Sequence, residues 1–320
     1  MKQPFIYKYR PLFLKDFEMD YELIDLLQKF INIDNLNMLF TGDTGCGKTS
    51  LINCMIKEYY KEQYDPINIL VINSLKDQGI SYYRNEVKTF CQTKCLIPNK
   101  KKIIVIDDID NINEQSQQVF RNCIDKYINN IHFLVSSSNM QKVIDSLQSR
   151  IFIIKIKSLE INNLEKILIK ICNNENINIS NEAKDFVLSI SKNSVRILIN
   201  YLEKFKLIDD FITYDMVLAI CTNISFNKLT TYTELCKNKN NLIEATKLLY
   251  TIYDLGYSVM DILDNYYIFL KFTPILEDEN KFLIIKLLSK YITIFYNIHE
   301  DEIELTLFTN NLIKILSPKI

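Results

Sequence analysis

Residues 36–50 read L-N-M-L-F-T-G-D-T-G-C-G-K-T-S and hold most of the glycine in the chain. The whole sequence of 320 residues contains five glycines, and three of them fall between Gly42 and Gly47. A short apolar run, Leu36–Phe40, precedes them, and an amphipathic run begins at Ser50. The stretch therefore predicts a β-strand, a glycine loop and a helix, in that order.

The loop has the spacing G-x-x-x-x-G-K-T from Gly42 to Thr49. Glycine suits it because the backbone must wrap a phosphate chain with its N–H groups turned inward, in conformations that a Cβ would obstruct. The helix that follows points its positive end at the same anion. Lys48 would reach the β- and γ-phosphates, and the Thr49 hydroxyl would sit on Mg²⁺. This context favours a nucleoside-triphosphate site over an ordinary glycine-rich turn. Its residues are Gly42, Asp43, Thr44, Gly45, Cys46, Gly47, Lys48, Thr49 and Ser50.

A second apolar run, Ile103–Ile106, ends in Asp107-Asp108-Ile109-Asp110. An uninterrupted apolar run of this kind is typical of a strand buried on both faces of a sheet. The acids would then emerge at the carboxyl edge of the strand, where open α/β sheets bind their ligands. Asp107 is predicted to hold Mg²⁺ through water, and Asp108 to orient or deprotonate the attacking water. The alternative interpretation is a solvated strand end.

Strands alternate with helices through the first half of the chain, which predicts an α/β core with a parallel sheet between helical layers. From about Ser158 onward the periodicity is helical throughout. The predicted division is an α/β nucleotide-binding core over 1–157, a helical lid over 158–222 and an all-helical domain over 223–320.

The composition is that of a globular protein, with 48% hydrophobic and 24% charged residues. The sequence has neither a long uncharged apolar run nor a signal-peptide core, so we expect a reducing intracellular compartment and no membrane partner. The eight cysteines are scattered, which does not favour a zinc site. The net charge of −1 excludes a global basic field, so any contact with DNA must depend on local groups.

Several motifs, taken in order, resemble those of the small subunits of replication factor C, the sliding-clamp loader of the AAA+ class. They are Y-K-Y-R-P at 7–11, the glycine loop, I-I-V-I-D-D-I-D at 103–110, L-Q-S-R at 147–150 and N-S-V-R-I-L-I-N-Y-L at 193–202. The resemblance runs through residues 7–203, and it implies an AAA+ core, a helical lid and a helical collar.

The resemblance also implies roles for single residues. Tyr9, Arg10 and Pro11 would flank the adenine. Arg150 would be an arginine finger, which reaches the nucleotide of a neighbouring subunit. Arg196 would be the lid arginine called sensor 2, and Asn139 would be sensor 1, which polarises the water or the γ-phosphate. The expected DNA contacts are Gln78, Gly79, Ile80, Arg84 and Lys88, and the stretch 81–98 is where the family touches its clamp.

The sequence departs from the family pattern at several of these positions. The family has glutamate where this chain has Asp108, so hydrolysis is expected to be slow. Asn139 lies eleven residues before Arg150, one fewer than in the family, which leaves Ser138 as the alternative sensor 1. Lys76 and Gln78 replace a family acid and a family arginine, which weakens the DNA assignment.

The residues predict an ATPase that uses ATP and Mg²⁺. The resemblance implies that it is one subunit of a hetero-oligomeric, pentameric clamp loader that opens a PCNA-like sliding clamp and loads it onto primer–template DNA. The expected location is the nucleus or a viral replication compartment. Two alternatives stay open: a non-hydrolysing structural subunit that lends Arg150 to its neighbour, and another AAA+ machine such as a helicase loader or a branch-migration motor.

Overall fold

The computed structural model describes residues 3–73, 80–208, 210–221, 224, 226–237, 241–295 and 298–316. Its centre is a parallel sheet of five strands in the order β2-β3-β4-β1-β5. The strands are β1 (Met38–Thr41), β2 (Ile69–Asn73), β3 (Lys102–Asp107), β4 (Ile131–Ser137) and β5 (Phe152–Lys155). The predicted α/β fold with a parallel sheet is confirmed.

Successive side chains along the strands point alternately into two buried hydrophobic clusters, one on each face of the sheet. Met38 and Phe40 point to one face and Leu39 to the other, as the period of two residues in a strand requires. The first face is covered by α2 (Tyr21–Asn32) and α3 (Lys48–Tyr60). The opposite face is covered by α5 (Lys88–Gln92), α6 (Glu114–Tyr127) and α7 (Asp145–Gln148).

Between β2 and α5 the chain follows α4 (Ile80–Tyr82) and then a π-helical turn, Tyr83–Val87. The wider turn keeps Tyr83, Val87 and Cys91 buried at intervals of four residues, against the same cluster.

Three further helices complete the first compact unit, which spans Met1–Ile212. They are α8 (Ile161–Glu175), α9 (Asn181–Ile190) and α10 (Val195–Ile208). A short helix, α1 (Phe5–Lys8), is tied to them, since the Phe5 N–H donates to the carboxylate of Glu203 at 3.3 Å. The proposed boundary between core and lid at 157/158 lies inside this unit and stays a prediction.

The second compact unit, Thr213–Ile320, is helical throughout its described part. Its helices are α11 (Tyr214–Cys221), α12 (Phe226–Cys236), α13 (Leu242–Tyr253), α14 (Val259–Phe272), α15 (Asp278–Phe295) and α16 (Ile303–Leu316). Buried rings form its core, and the hydroxyls of Tyr232 and Thr309 meet there at 3.0 Å. None of the helices described in the chain is long and apolar enough to cross a membrane.

Candidate nucleotide site

The loop between β1 and α3 is built in a space that admits only glycine at two positions. A Cβ on Gly42 would lie 2.4 Å from the carbonyl oxygen of Ile156. Gly45 has φ of +81°, and a Cβ there would lie 2.3 Å from the Ser194 hydroxyl at the start of α10. The loop therefore lies tightly between the end of β5 and the start of α10. Because glycine has no side chain, nothing at these positions covers the backbone N–H groups of the loop.

Lys48 is the first residue of α3 and is only 6% exposed. Its ammonium donates to the carbonyl oxygens of Gly42, at 2.7 Å, and Asp43, at 2.9 Å. It also lies 3.4 Å from the hydroxyl of Ser138, just past β4. The lysine is thus fixed between the loop and the carboxyl end of the neighbouring strand.

Thr49 and Asp107 meet directly. The Thr49 hydroxyl donates to the two carboxylate oxygens of Asp107 at 3.0 and 3.3 Å. Hydroxyl and carboxylate oxygens are the ligands that Mg²⁺ prefers, usually together with water and substrate phosphates. The two residues that the sequence assigned to the metal therefore fit a Mg²⁺ site.

Asp108 follows with φ of 52° and ψ of 59°, the left-handed region that aspartate tolerates better than most residues. Partial burial raises its carboxyl pKa, and the negative charges of Asp107 and Asp110 raise it further. The positive charges of Lys48 and Arg196 act in the opposite direction. A carboxylate with a raised pKa, close to two cations, is suited to accept a proton from water.

The polar residues after β4 are arranged differently from the expectation for sensor 1. The Asn139 side chain accepts a hydrogen bond from the Gln141 N–H at 3.0 Å and so caps a short 3₁₀ turn. Ser138, by contrast, brings its hydroxyl to Lys48. The Asp110 carboxylate accepts from the N–H groups of both Ser138 and Asn139, at 3.3 and 3.1 Å. This geometry favours Ser138 over Asn139 as the polar group that faces the site.

A cavity of about 480 Å³ lies along the loop and is of the size that binds small ligands. Its lining includes Tyr9, Arg10, Pro11, Gly45, Cys46, Gly47, Thr49, Ser50, Asp107 and Arg196. Apolar side chains, among them Ile6, Ile171 and Ile199, line it as well. Polar loop residues together with isoleucines fit a nucleotide, which has a charged phosphate chain and an apolar base.

The N-terminal arm joins this cavity to the helices that follow the sheet. Tyr9 donates its hydroxyl to Glu175 at 2.5 Å, and Lys8 forms an ion pair with the same carboxylate. Burial raises the Tyr9 pKa to about 12, and the bond to Glu175 adds to the effect. Arg10 donates to the carbonyl oxygen of Thr49 at 3.1 Å. The arm is therefore held by both α3 and α8.

Arg150 does not line the cavity in the part of the chain that the structure describes. Its Nε donates to the carboxylate of Asp125 at 2.7 Å, and its Nη1 donates to the carbonyl oxygen of Ser146 at 2.6 Å. The side chain is 30% exposed. It therefore lies partly exposed at the surface, held by Asp125 and Ser146.

The predicted DNA-contacting residues are only partly described. Gln78 and Gly79 lie outside the described residues, and Ile80 is the first residue of α4. Arg84 and Lys88 are exposed and lie one helical turn apart. They form a small cationic strip on the outer surface of this segment.

Comparison with known proteins agrees with these observations. Residues 38–158 match the model of the ATPase family associated with various cellular activities (AAA). A replication factor C small subunit of Acanthamoeba polyphaga mimivirus is 31% identical over 84% of this chain and 83% of its own length. The chain belongs to the replication factor C small-subunit family. The replication factor C small subunit of Methanococcus maripaludis is 29% identical over 82% of this chain and 84% of that protein. The family assignment makes the chain a clamp-loader ATPase of the AAA+ class.

Solved structures support the fold alone. The RuvB Holliday junction branch migration motor of Thermotoga maritima aligns with a TM-score of 0.54 at 18% identity. The alignment covers 71% of this chain and 80% of the RuvB chain.

Sequence reasoning missed several residues that shape the site, chiefly Ser136, Asp110 and Ser194. The available signals were the serine run at 136–138, the third acid after β3 and the serine before α10. Asp110 and Ser194 lie inside motifs that the sequence analysis quoted, but nothing in the spacing of the three residues indicates what each one contacts.

Proposed function

We propose that this chain is an ATP-hydrolysing subunit of a hetero-oligomeric clamp loader. In this proposal ATP binding closes a pentameric ring of subunits onto a PCNA-like sliding clamp and holds the clamp open. Primer–template DNA then triggers hydrolysis and release of the clamp, within the cellular compartment where DNA is replicated. The observation that carries the proposal is the meeting of Lys48, Thr49, Asp107 and Asp108 at one edge of the sheet.

Each of these residues has a task that follows from its position. Lys48 supplies positive charge to the phosphates, and Arg196 approaches the same site from α10. Thr49 and Asp107 would hold Mg²⁺, which offsets the charge of the phosphates when it is bound. Asp108 orients the attacking water and takes its proton. Ser138 is the proposed sensor 1, because its hydroxyl is the one that lies next to Lys48.

The site needs a further cation in the transition state, and Arg150 is proposed to supply it to the neighbouring subunit. Its surface position, held by Asp125, supports a role in trans. We therefore expect the isolated chain to hydrolyse ATP poorly. Partner subunits, clamp and primed DNA together should stimulate it.

Nucleotide binding is tested by direct titration of ATP onto the full chain carrying Lys48→Ala. Binding should be lost, because the substitution removes the charge-assisted contact to the phosphates. Lys57→Ala is the matched control, since this lysine is exposed on the same helix. Undiminished ATP affinity of the Lys48 variant would overturn the assignment of the phosphate loop.

DNA binding is proposed to involve Arg84 and Lys88, whose side chains are exposed. Contacts to phosphate carry no sequence preference, so binding of the assembled loader to primed DNA should be salt-sensitive and independent of sequence. Each lost contact should lower the logarithmic salt slope by about 0.9 on duplex DNA. Arg84→Ala and Lys88→Ala should do so without changing ATP affinity, and Lys166→Ala on α8 is the control. Slopes equal to wild type for both variants would place DNA contact elsewhere.

A second candidate function is a structural subunit that binds ATP without hydrolysing it. The observation that favours it is Asp108, whose carboxylate is one methylene shorter than that of the family glutamate. Turnover by a complex with Lys48→Ala only in this subunit separates the two functions. If this subunit is catalytic, turnover by the complex should fall. If it is structural, the partner sites that do not depend on nucleotide bound to this subunit should turn over at the wild-type rate.

A further inference from the structure

The serine at position 136 connects the two acids of the site, and no motif in the sequence points to it. Ser136 is the sixth residue of β4 and is fully buried, 0% exposed. β4 lies between β3 and β1 in the sheet, so Ser136 has the end of β3 on one side and Phe40 of β1 on the other. It therefore lies beneath the site rather than in the cavity.

Its hydroxyl makes two hydrogen bonds of opposite sense. It donates to Oδ1 of Asp107 at 2.6 Å, and it accepts from the backbone N–H of Asp108 at 2.8 Å. A hydroxyl offers one donor and two acceptor positions, so a single side chain can do both. Alanine at this position could do neither.

The bond to Asp107 bears on the proposed metal site. Oδ1 of Asp107 accepts both the Thr49 hydroxyl, at 3.0 Å, and the Ser136 hydroxyl, at 2.6 Å. Such hydrogen bonds fix the rotation of a ligating carboxylate, and their loss typically costs 10–100-fold in metal affinity or activity. Of the hydrogen bonds that the described residues donate to this carboxylate, those from Thr49 alone would remain without Ser136.

The bond to Asp108 bears on the proposed base. Asp108 holds the left-handed conformation, which aspartate adopts more readily than most residues but which still needs a hydrogen bond to fix its direction. The bond from its N–H to Ser136 fixes the backbone at this point and so sets the direction in which the Asp108 side chain leaves the strand.

We propose that Ser136 is a positioning residue that orients both Asp107 and Asp108 for ATP hydrolysis. The inference rests on the proposed function and adds to it a residue that would never touch the nucleotide. Its hydroxyl acts through the two carboxylates, one assigned to Mg²⁺ and the other to the attacking water.

The chain supplies its own control in the next residue. Ser137 is also fully buried, and its hydroxyl has no hydrogen-bond partner among the residues that the structure describes. Ser137→Ala therefore makes the same chemical change, one residue away, without removing a contact. Ser136→Thr keeps the hydroxyl and serves as the conservative variant.

The test has two measurements. The first is the affinity of the full chain for a fluorescent ATP analogue, in EDTA and across a Mg²⁺ titration. The second is ATP turnover by the assembled complex. Ser136→Ala should keep the affinity measured in EDTA and raise the Mg²⁺ midpoint about tenfold or more. In the complex it should lower kcat by roughly 10–100-fold with little change in KM. Ser137→Ala should match wild type, and Ser136→Thr should recover most of the loss.

Two results would overturn the inference while the proposed function stands. One is a Ser136→Ala variant with the Mg²⁺ midpoint and kcat of Ser137→Ala. The other is an equal loss of affinity with and without Mg²⁺, which would indicate general damage to the fold. If the wild-type chain itself binds no nucleotide, the proposed function fails, and the inference fails with it.

Discussion

Two aspartates with positive φ lie at opposite ends of the strands, one near their amino ends and the other at their carboxyl ends. Asp34 has φ of 57° and precedes β1, while Asp108 has φ of 52° and follows β3. Aspartate is one of the few residues that adopt this conformation at low cost, so neither position identifies a site by its backbone alone. What separates them is the set of groups around each carboxylate.

Asp34 belongs to a closed network. Its carboxylate accepts hydrogen bonds from the Tyr59 hydroxyl at 2.7 Å and from Nε2 of His132 at 3.1 Å, and it pairs with Lys101. Burial alone would raise the pKa of the Asp34 carboxyl, but these partners outweigh it and lower the pKa. These three partners stabilise the ionised form, so this aspartate links the end of α2 to Tyr59 on α3, to His132 on β4 and to Lys101 just before β3.

Asp108 is in the reverse situation. Burial and two neighbouring carboxylates raise its pKa, and its environment includes cations that the nucleotide phosphates would engage. The surroundings of Asp108 therefore disfavour the ionised form of its carboxyl group. The comparison teaches that an unfavourable carboxylate beside a phosphate loop, rather than an unusual backbone, marks the functional edge.

The largest expected effect tests whether the site around Asp108 needs a residue from a neighbouring subunit. The network around Asp34 is complete within one chain. Arg150→Ala in the full complex should leave ATP binding by this chain intact and slow the adjoining site by about 10³-fold or more. Arg150→Lys is the control, since it keeps the charge and loses the planar fork. The measurement is turnover with only the adjoining site active, and an unchanged rate would exclude the role in trans.

A smaller effect concerns pH and the closed network. Burial lowers the pKa of His132 to about 4, and the Leu36 N–H donates to its Nδ1, so the ring is neutral with its proton on Nε2. The unfolded chain takes up that proton near pH 6.5 and the folded chain does not, so stability falls as the pH drops from about 6.5 towards 4. Between pH 7 and pH 5 the loss should be about 2 kcal/mol.

Urea unfolding at the two pH values measures this loss for wild type and for His132→Gln. The variant should be less stable at pH 7 and show a flatter dependence on pH. The second histidine, His299, is exposed and serves as the control position. An equal pH dependence in wild type and His132→Gln would assign the acid sensitivity to other groups.

The smallest effect compares the two aspartates directly through stability. Asp34→Asn should lower the free energy of unfolding by about 1–2 kcal/mol, because it weakens charge-assisted hydrogen bonds. Asp108→Asn should leave stability unchanged or raise it, because it removes repulsion from Asp107 and Asp110. Asparagine tolerates the left-handed conformation as aspartate does, so the substitutions are matched. A larger loss from Asp108→Asn than from Asp34→Asn would contradict the comparison.

The sequence predicted much of the fold because its signals are local. The glycine loop, the apolar strands and helices such as Glu114–Tyr127 and Val259–Phe272 each carry their pattern within a short window. Helix α12 lies within the region 223–320 predicted to be all-helical, but its own signal is weak, since F-N-K-L-T-T-Y-T-E-L-C contains three threonines, which favour helices weakly. Its buried Thr233 is satisfied by the Leu229 carbonyl and by Tyr266, a partner that only the folded unit supplies.

The candidate site was predictable where its residues belong to a motif and unpredictable where they are only brought together by the sheet. The bond from Thr49 to Asp107 follows from two motifs at the ends of parallel strands. The roles of Ser136 and Ser138 depend on where β4 ends and on which groups each hydroxyl contacts. A run of serines does not specify either. Likewise, Asp34 and His132 are 98 residues apart and have no common pattern.

The central claim is that the Asp108 edge hydrolyses ATP, and single-turnover hydrolysis by a complex whose other sites are disabled tests it most directly. Wild type should turn over, Asp108→Asn should bind ATP and lose nearly all hydrolysis, and Asp108→Glu should preserve or raise the rate. The longer side chain restores roughly a bond length of reach toward the water in a site that depends on positioning. Equal rates for the three forms would contradict the claim and leave this chain a structural subunit.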